Sequence, residues 1–150
     1  MDDKDNPRVF MPPPLIFSGL LTLGILMDRR PVTLGVVQMF GGALALAAFG
    51  LIATALGMFR RKSTRPEPWQ PASALVDEGI YRLTRNPMYL GMALLSLGIA
   101  LVFASLGGVL ATVLAAFIID RAVIPREEAY LLRRFGEDYR NYRSRVRRWL

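Results

Sequence analysis

The longest uncharged stretch of the chain, residues 86–119, reads NPMYLGMALLSLGIALVFASLGGVLATVLAAFII and contains no Asp, Glu, Lys or Arg. As one straight helix its 34 residues would extend about 51 Å, well beyond the roughly 30 Å hydrocarbon core of a bilayer. Ser105-Leu106-Gly107-Gly108, near the middle, is typical of a turn. The stretch therefore predicts a helical hairpin with two membrane-crossing arms, near 87–104 and 109–124.

Two further uncharged stretches precede this hairpin. Residues 9–27 and 32–59 also lack charged side chains, so 81 of the 150 positions lie in three uncharged runs. Hydrophobic residues make up 53% of the chain, and runs of this length match the thickness of the hydrocarbon core. The composition predicts an all-α, polytopic membrane protein that forms a single domain over residues 1–150. Its four transmembrane helices are expected near 12–27, 32–59, 87–104 and 109–124.

The basic residues are distributed unevenly around the predicted spans. The chain carries 19 Lys and Arg against 12 Asp and Glu, a formal net charge of +7. With both termini in the cytoplasm, 17 of the 19 basic residues lie on the cytoplasmic side, and Arg29 and Arg30 lie on the other. Because cytoplasmic loops are enriched in Lys and Arg, this distribution predicts four spans with both termini cytoplasmic. Basic residues beside apolar spans indicate anionic lipid headgroups as partners rather than nucleic acid.

The C-terminal residues 126–150 show the periodicity of an amphipathic helix. Apolar residues recur at spacings of three and four, on one face, and most arginines lie elsewhere. We expect this tail helix to lie in the headgroup plane or to pack over the cytoplasmic mouth of the bundle, with a bend permitted at Gly136. The apolar positions are Leu132, Phe135, Tyr139, Tyr142, Val146 and Trp149.

The chain contains neither cysteine nor histidine. This composition excludes disulfides, a cysteine nucleophile and thiolate metal sites. It also leaves no imidazole as a general base, proton relay or metal ligand, so we expect no metal centre.

Two groups of polar and aromatic residues lie at the predicted cytoplasmic edge. One is Gly79–Gly91, immediately before and into the third span, and the other is Arg126-Glu127-Glu128, just after the fourth. The two arms of a hairpin place these groups at the same membrane depth and side by side. This convergence indicates a candidate site.

Each feature taken singly also has a purely structural interpretation. Tyr81 and Tyr89 suit an aromatic belt at the membrane surface. Asn86-Pro87 suits a helix start, with Asn as the cap and Pro at the first position. Glu127-Glu128 suits a first helical turn, where acidic residues complement the helix dipole.

Three segments together resemble the isoprenylcysteine carboxyl methyltransferase and phospholipid methyltransferase superfamily of small integral membrane enzymes. The segments are Arg85–Gly91 (RNPMYLG), the pair Glu127-Glu128, and Phe135–Tyr142 (FGEDYRNY), in that order. The resemblance covers roughly residues 66–150. It implies a methyltransferase that uses S-adenosylmethionine and acts on a membrane lipid or lipid-like acceptor.

The resemblance also implies roles for individual residues. The glutamate pair, Glu127 or Glu128, is expected to engage the amino group of the cofactor's methionine moiety. Glu128 is the candidate catalytic proton acceptor, and the arginines that shortly precede the glutamates or adjoin them, Arg121 and Arg126, are the candidate substrate-binding residues. The remaining candidate cofactor-binding residues are Tyr81, Arg85, Asn86, Met88, Tyr89 and Gly91.

Two positions depart from the family's pattern. Asn86 replaces the histidine of the family's Arg-His-Pro-x-Tyr motif, and an amide forms hydrogen bonds but does not shuttle protons near neutral pH. Some members place a substrate-contacting arginine where this chain has Val123 and Ile124. Without histidine, a carboxylate or thiolate acceptor is favoured because it needs little help from a base. An amine remains open, since it could lose its proton to water or to a carboxylate such as Glu128.

Two other functions fit parts of the sequence. Membrane sterol and steroid reductases end in a similar Arg-x-Pro-x-Tyr to Tyr-x-x-Tyr region and use NADPH, but they are typically much larger. A non-catalytic membrane protein whose basic tail binds anionic lipid would share the same charge pattern. Binding of S-adenosylmethionine, of NADPH or of neither distinguishes the three hypotheses.

Overall fold

A computed structural model of the chain describes residues 11–28, 35–65 and 71–150. Within these ranges the regular elements are helical, which confirms the predicted all-α fold class. Arg29, Arg30 and residues 32–34 of the second predicted span lie outside the described ranges. The helices are α1 (Pro13–Asp28), α2 (Val36–Arg61), α3 (Pro87–Val102), α4 (Leu106–Ile118), α5 (Ile124–Phe135) and α6 (Glu137–Arg145), and a 3-10 turn, Gly79–Arg82, precedes α3.

Local sequence explains where the helices begin. Prolines open α1 and α3, because a missing N–H has no intrahelical partner in the first turn. Asn86 occupies the cap position before α3. Ser105 caps α4, and its Oγ accepts a hydrogen bond from the N–H of Gly108 at 2.8 Å. The chain therefore reverses between α3 and α4 around Ser105, so that α4 begins at Leu106.

Two helical segments are long and apolar enough to cross a membrane. They are α2, with 26 residues, and the continuous segment Leu106–Phe135, with 30 residues. Helices α1 and α3 are also apolar but have 16 residues each, which corresponds to a rise of about 24 Å. The count of four spans stays a prediction.

Glycines bring the helices into close contact. α3 packs against α2 and α4, and α1 packs against α4. A Cβ atom built on Gly98 of α3 would lie 2.7 Å from the backbone of Gly41 and Ala45 in α2. A Cβ atom on Gly107 of α4 would lie 2.5 Å from the carbonyl oxygen of Gly24 in α1. Small residues permit the close backbone approach that stabilises helix pairs in lipid.

The helical chain continues past the predicted end of the fourth span. A π turn, Ile119–Val123, joins α4 to α5. Pro125 follows this turn, and its ring and missing N–H are incompatible with regular α-helical hydrogen bonding to the preceding turn. The long helix therefore extends from the hairpin turn into the region of the glutamate pair.

The tail differs from the single helix predicted over 126–150. The helical path breaks at Gly136, where φ is +53°, a backbone conformation that favours glycine. Helix α6 then ends at Arg145, and Val146 is extended. This break allows Tyr139 and Tyr142 to join a buried cluster that includes residues of α2 and the 3-10 turn.

Candidate functional site

A cavity of about 410 Å³ lies where α1 begins, α2 ends and α3 begins. Its volume is in the range of small-molecule binding sites. One part of the wall is apolar, and the other carries charged, amide and phenolic groups. The apolar part includes Pro13, Pro14, Ile52, Leu56, Phe59, Met88 and Met92, and the polar part includes Tyr81, Arg85, Asn86, Tyr89, Glu127, Glu128, Tyr130, Tyr139 and Tyr142.

The two polar groups of the sequence meet through Tyr89 and Glu127. The hydroxyl of Tyr89, in the first turn of α3, donates a hydrogen bond to the carboxylate of Glu127, in the first turn of α5. These residues are 38 positions apart. They come together because α4 packs back against α3 and continues into α5. Both side chains line the cavity.

The neighbouring Glu128 lies between two arginines. Its Oε1 is 3.1 Å from Nη2 of Arg85. Arg148 donates from Nε to Oε1 at 3.2 Å and from Nη2 to Oε2 at 2.8 Å. The side chains of Glu128 and Arg85 are each 10% exposed, so this is a largely desolvated ion-pair network rather than a surface contact. Both oxygens of Glu128 are engaged, which leaves Glu127 as the carboxylate better placed for a ligand.

Arg85 uses only part of its guanidinium group within the described structure. Nη2 pairs with Glu128, whereas Nε and Nη1 are buried and have no hydrogen-bond partner among the described residues. A buried donor without an acceptor is destabilising, and most such groups in proteins are paired. Arg85 lines the cavity, so an anionic group bound there would supply the acceptor that these two nitrogens lack among the described residues.

Asn86 borders the cavity but also anchors the end of the chain. Its side-chain amide donates a hydrogen bond to the backbone carbonyl of Arg148 at 3.0 Å. The hydroxyl of Thr84 donates to the same oxygen at 3.0 Å, and the N–H of Arg85 donates to the carbonyl of Arg147 at 2.9 Å. The structure thus gives Asn86 a structural contact, and its contact with a cofactor stays a prediction.

Besides Tyr89, four buried tyrosines line the polar part of the cavity. The hydroxyl of Tyr142 donates to the carbonyl of Tyr81 at 2.8 Å, and the hydroxyl of Tyr130 accepts a hydrogen bond from the N–H of Ala72 at 2.9 Å. Burial raises the pKa of Tyr139 to about 12, and it also raises the pKa values of Tyr81 and Tyr142. These three phenols are therefore neutral at physiological pH.

Three of the predicted site residues are not among the described residues that line the cavity. A Cβ atom on Gly91 would lie 2.6 Å from Cγ1 of Ile52, so this glycine permits the contact between α3 and α2. Arg121 is exposed, with its guanidinium 5.3 Å from the ring centre of Phe117. Arg126 is also exposed. The roles of these arginines in substrate binding stay predictions.

Sequence reasoning missed Arg148. The nine basic residues from Arg121 onward look alike in a one-dimensional pattern, and the resemblance points to Arg121 and Arg126 because they precede the glutamates. Arg148 is 20 positions from Glu128, yet it contacts both carboxylate oxygens. Neighbouring positions of a helix lie about 100° apart, so the predicted tail helix turns Arg148 away from the apolar face that carries Trp149. Arg148 reaches Glu128 because α6 ends at Arg145 and the following backbone is extended at Val146, which the helical pattern does not predict.

Comparisons with known proteins identify relatives of this chain. The sequence model of the phospholipid methyltransferase family matches residues 32–138. Over 63 residues, 42% of this chain, the sequence is 38% identical to an uncharacterized protein of Haemophilus influenzae, which is covered over its full length. Over 75 residues, 48% of this chain, it is 36% identical to protein-S-isoprenylcysteine O-methyltransferase of Schizosaccharomyces pombe, of which the match spans 30%.

The family match includes the helical hairpin, the glutamate pair and the break at Gly136. It covers well over half of the chain, includes RNPMYLG, the glutamates and the first four residues of FGEDYRNY, and confirms the resemblance to this superfamily. This chain belongs to the phospholipid methyltransferase family.

Proposed function

We propose that this chain is an integral membrane methyltransferase that uses S-adenosylmethionine and acts on a lipid-attached or apolar acceptor at the cytoplasmic membrane face. Membership of the family implies methyl transfer. The observation that carries the finer proposal is the composition of the cavity. The cavity has an apolar wall, formed where α1 begins and α2 ends. Its polar part contains Arg85, Glu127 and several tyrosines.

The polar part fits the charges of S-adenosylmethionine. The free Nε and Nη1 of Arg85 suit the carboxylate of the methionine moiety, because guanidinium–carboxylate hydrogen bonds are charge-assisted. The carboxylate of Glu127 suits the ammonium group of the same moiety. The neutral rings of Tyr81 and Tyr139 suit a nearby cation, which an aromatic face stabilises by about 0.5–2 kcal/mol.

S-adenosylmethionine, when bound, supplies a methyl group on a sulfonium that needs no further activation. The work of the protein is then mainly to align this methyl group with the acceptor. We assign binding to Arg85 and Glu127, and we assign Tyr89 to holding the Glu127 carboxylate through its hydrogen bond. Glu128, the predicted proton acceptor, has both oxygens paired with arginines, so we propose that it holds these arginines and that Glu127 serves if an amine must lose a proton.

The cavity and the composition together favour an acidic group on an apolar acceptor. Ile52, Leu56 and Met92 in the apolar wall suit the hydrocarbon part of a lipid-like molecule. A carboxylate or thiolate needs little base assistance, which agrees with the absence of histidine from the chain. We therefore place a carboxylate or thiol ahead of an amine as the methyl acceptor.

The proposed arrangement has four spans with both termini in the cytoplasm. Helix α2 and the long α4–α5 segment account for two of these spans. The apolar character of α1 and α3 supports them as the other two. Arg60 and Arg61 end α2 at the same end of the bundle as the cavity, and the arginine-rich α6 lies there too. This clustering of positive charge supports a cytoplasmic site beside anionic lipid headgroups.

Calorimetry of the detergent-purified protein with S-adenosylhomocysteine tests the cofactor site. We expect the parent protein to bind this product, Glu127→Gln to lose at least tenfold in affinity, and Tyr89→Phe to lose a few-fold, since hydrogen bonds to charged groups contribute about 1.5–3 kcal/mol. Glu137→Gln is the matched control, because the Glu137 side chain is 73% exposed on α6. Equal affinities for the parent protein and Glu127→Gln would contradict the site assignment.

A labelling experiment tests the acceptor. The protein is incubated with methyl-labelled S-adenosylmethionine and a total membrane extract, and the labelled product is then treated with mild base. Release of labelled methanol identifies a methyl ester and hence a carboxylate acceptor, whereas base-stable label in a thioether or methylamine identifies a thiol or amine. Thermal stabilisation by NADPH alone, with no label transferred, would overturn the proposed function in favour of a reductase.

A further inference from the structure

The last five residues, Val146–Leu150, form a segment that we call the C-terminal strap. Three donors at the start of α3 fix its backbone, through the contacts of Thr84, Arg85 and Asn86 described above. At its far end the indole N–H of Trp149 donates to Oδ1 of Asp120 at 2.9 Å. The strap therefore connects the start of α3 to the π turn after α4.

Arg148 projects from this strap into the ion-pair network. Its Nε and Nη2 engage both oxygens of Glu128, and its Nη1 lies 3.3 Å from Oδ1 of Asp120. The Arg148 side chain is 31% exposed, whereas the carboxylate that it holds is largely buried. Three nitrogens of one guanidinium thus serve two acidic residues, a geometry that lysine cannot reproduce.

This arrangement has a consequence for Arg85. Arginine and carboxylate groups prefer to pair through two parallel hydrogen bonds. Arg148 engages both oxygens of Glu128, and Arg85 contacts the same carboxylate through Nη2 alone, at the Oε1 that it shares with Arg148. Nε and Nη1 of Arg85 are buried and have no partner among the described residues, and Arg85 lines the cavity. Without Arg148, Arg85 would be the remaining guanidinium partner of Glu128, and the preferred geometry would be a pair of parallel bonds.

We propose that Arg148 is a positioning residue: by occupying Glu128, it keeps the Nε and Nη1 donors of Arg85 available for the carboxylate of the ligand's methionine moiety. This inference rests on the proposed function, and it adds the residue that prepares the carboxylate site. Arg148 acts through Glu128 and Arg85 and does not itself contact the ligand.

The test compares two ligands that differ at the methionine end. S-adenosylhomocysteine carries the carboxylate, whereas 5′-methylthioadenosine lacks the whole amino-acid group. Calorimetry should show that Arg148→Gln weakens S-adenosylhomocysteine binding roughly tenfold and leaves 5′-methylthioadenosine binding within about twofold. Arg147→Gln is the matched control, since it removes the same charge from the same strap at an exposed side chain. It should leave both affinities unchanged.

The milder variant Arg148→Lys keeps the charge but reaches fewer acceptors, and it serves if Arg148→Gln does not fold. We expect it to weaken S-adenosylhomocysteine binding about threefold with no effect on 5′-methylthioadenosine. Equal weakening of both ligands would show that the strap is merely structural, and unchanged binding of S-adenosylhomocysteine would show that Arg148 positions nothing; either result overturns the inference. If the parent protein binds neither ligand, the proposed function itself fails.

Discussion

The two ends of α3 place polar residues in contrasting environments. At the far end, where α3 turns into α4, Asp28 Oδ2 accepts hydrogen bonds from Ser105 Oγ and from the N–H of Gly107, both at 2.7 Å. Ser105 Oγ in turn accepts from Gly108. These contacts satisfy the backbone donors at the start of a helix, as a capping arrangement does.

At the near end, the polar groups are charged and one of them is left incomplete. Arg85, Glu128 and Arg148 form a network of ion pairs, yet two buried nitrogens of Arg85 lack a partner among the described residues. Proteins tolerate buried donors without an acceptor mainly at functional sites. The contrast separates a structural polar cluster, whose groups are paired within the fold, from the proposed binding site, where a ligand would supply the missing acceptor.

The largest effect should follow from breaking the network at the near end. Glu128→Gln leaves Arg85 and Arg148 without their shared carboxylate, and we expect it to destabilise the protein by about 3 kcal/mol, as removal of one partner from a buried ion pair does. The melting temperature in detergent measures this loss. Glu137→Gln, at an exposed ion pair with Arg140, should change it little. A small change in Glu128→Gln would mean that the network contributes no stability.

The next effect should come from the close helix contact at the far end. In Gly107→Ala the new Cβ would lie 2.5 Å from the carbonyl oxygen of Gly24, so α1 and α4 must separate. Overpacking of this kind costs about 1–3 kcal/mol, measured again by thermal unfolding in detergent. Gly42→Ala is the control, because nothing lies within 4 Å of the added atom. Equal melting temperatures of the two variants would show that the contact between α1 and α4 is not tight.

A smaller loss should follow from removing the carboxylate that supports the cap of α4. Asp28→Ala deletes the acceptor for Ser105 and for the N–H of Gly107, and loss of a helix cap costs about 1 kcal/mol. Ligand affinity should be unchanged, because Asp28 lies at the end of α1 away from the cavity. Calorimetry beside thermal unfolding checks both expectations. A loss of S-adenosylhomocysteine binding in this variant would remove the distinction between the two ends.

The smallest effect concerns a polar pair between the two ends. Ser96 and Thr112 share a buried hydrogen bond of 2.8 Å between α3 and α4. A double-mutant cycle with Ser96→Ala and Thr112→Val should give a coupling of about 0.6 kcal/mol, since interhelical hydrogen bonds in membranes are weak on average. Unfolding of the parent protein, the two single variants and the double variant supplies the four energies. A coupling as large as the loss in Glu128→Gln would place this pair among the major stabilising contacts.

Much of the helical fold was predictable because its causes are local. Uncharged runs, opening prolines and the Ser105-Leu106-Gly107-Gly108 segment predict helices and a reversal of the chain, and the structure contains helices in these regions. The break at Gly136 was anticipated only as a bend. The direction of the chain after Gly136 depends on the buried contacts of Tyr139 and Tyr142. Those contacts involve residues of α2 and the 3-10 turn, which are distant in sequence.

The site was predictable in part. Tyr89 and Glu127 follow from motif and hairpin together, since a reversal of the chain brings the two arms side by side. The sequence does not predict which glutamate accepts from Tyr89 and which pairs with the arginines, because adjacent glutamates are equivalent in a sequence pattern. Which of them meets the arginines depends on the rotation of α5 after the π turn.

By itself the sequence determined the class of molecule: an all-helical chain with uncharged segments, an excess of positive charge at one end, no imidazole or thiol, and the motifs of a methyltransferase family. These properties depend on composition and short-range spacing. The tertiary structure alone decided that Arg148 reaches Glu128 and that two buried nitrogens of Arg85 have no partner among the described residues. Such ion pairs join residues that are distant in the chain. Their energies depend on how deeply the groups are buried and how their hydrogen bonds are oriented, and packing of the helices sets both.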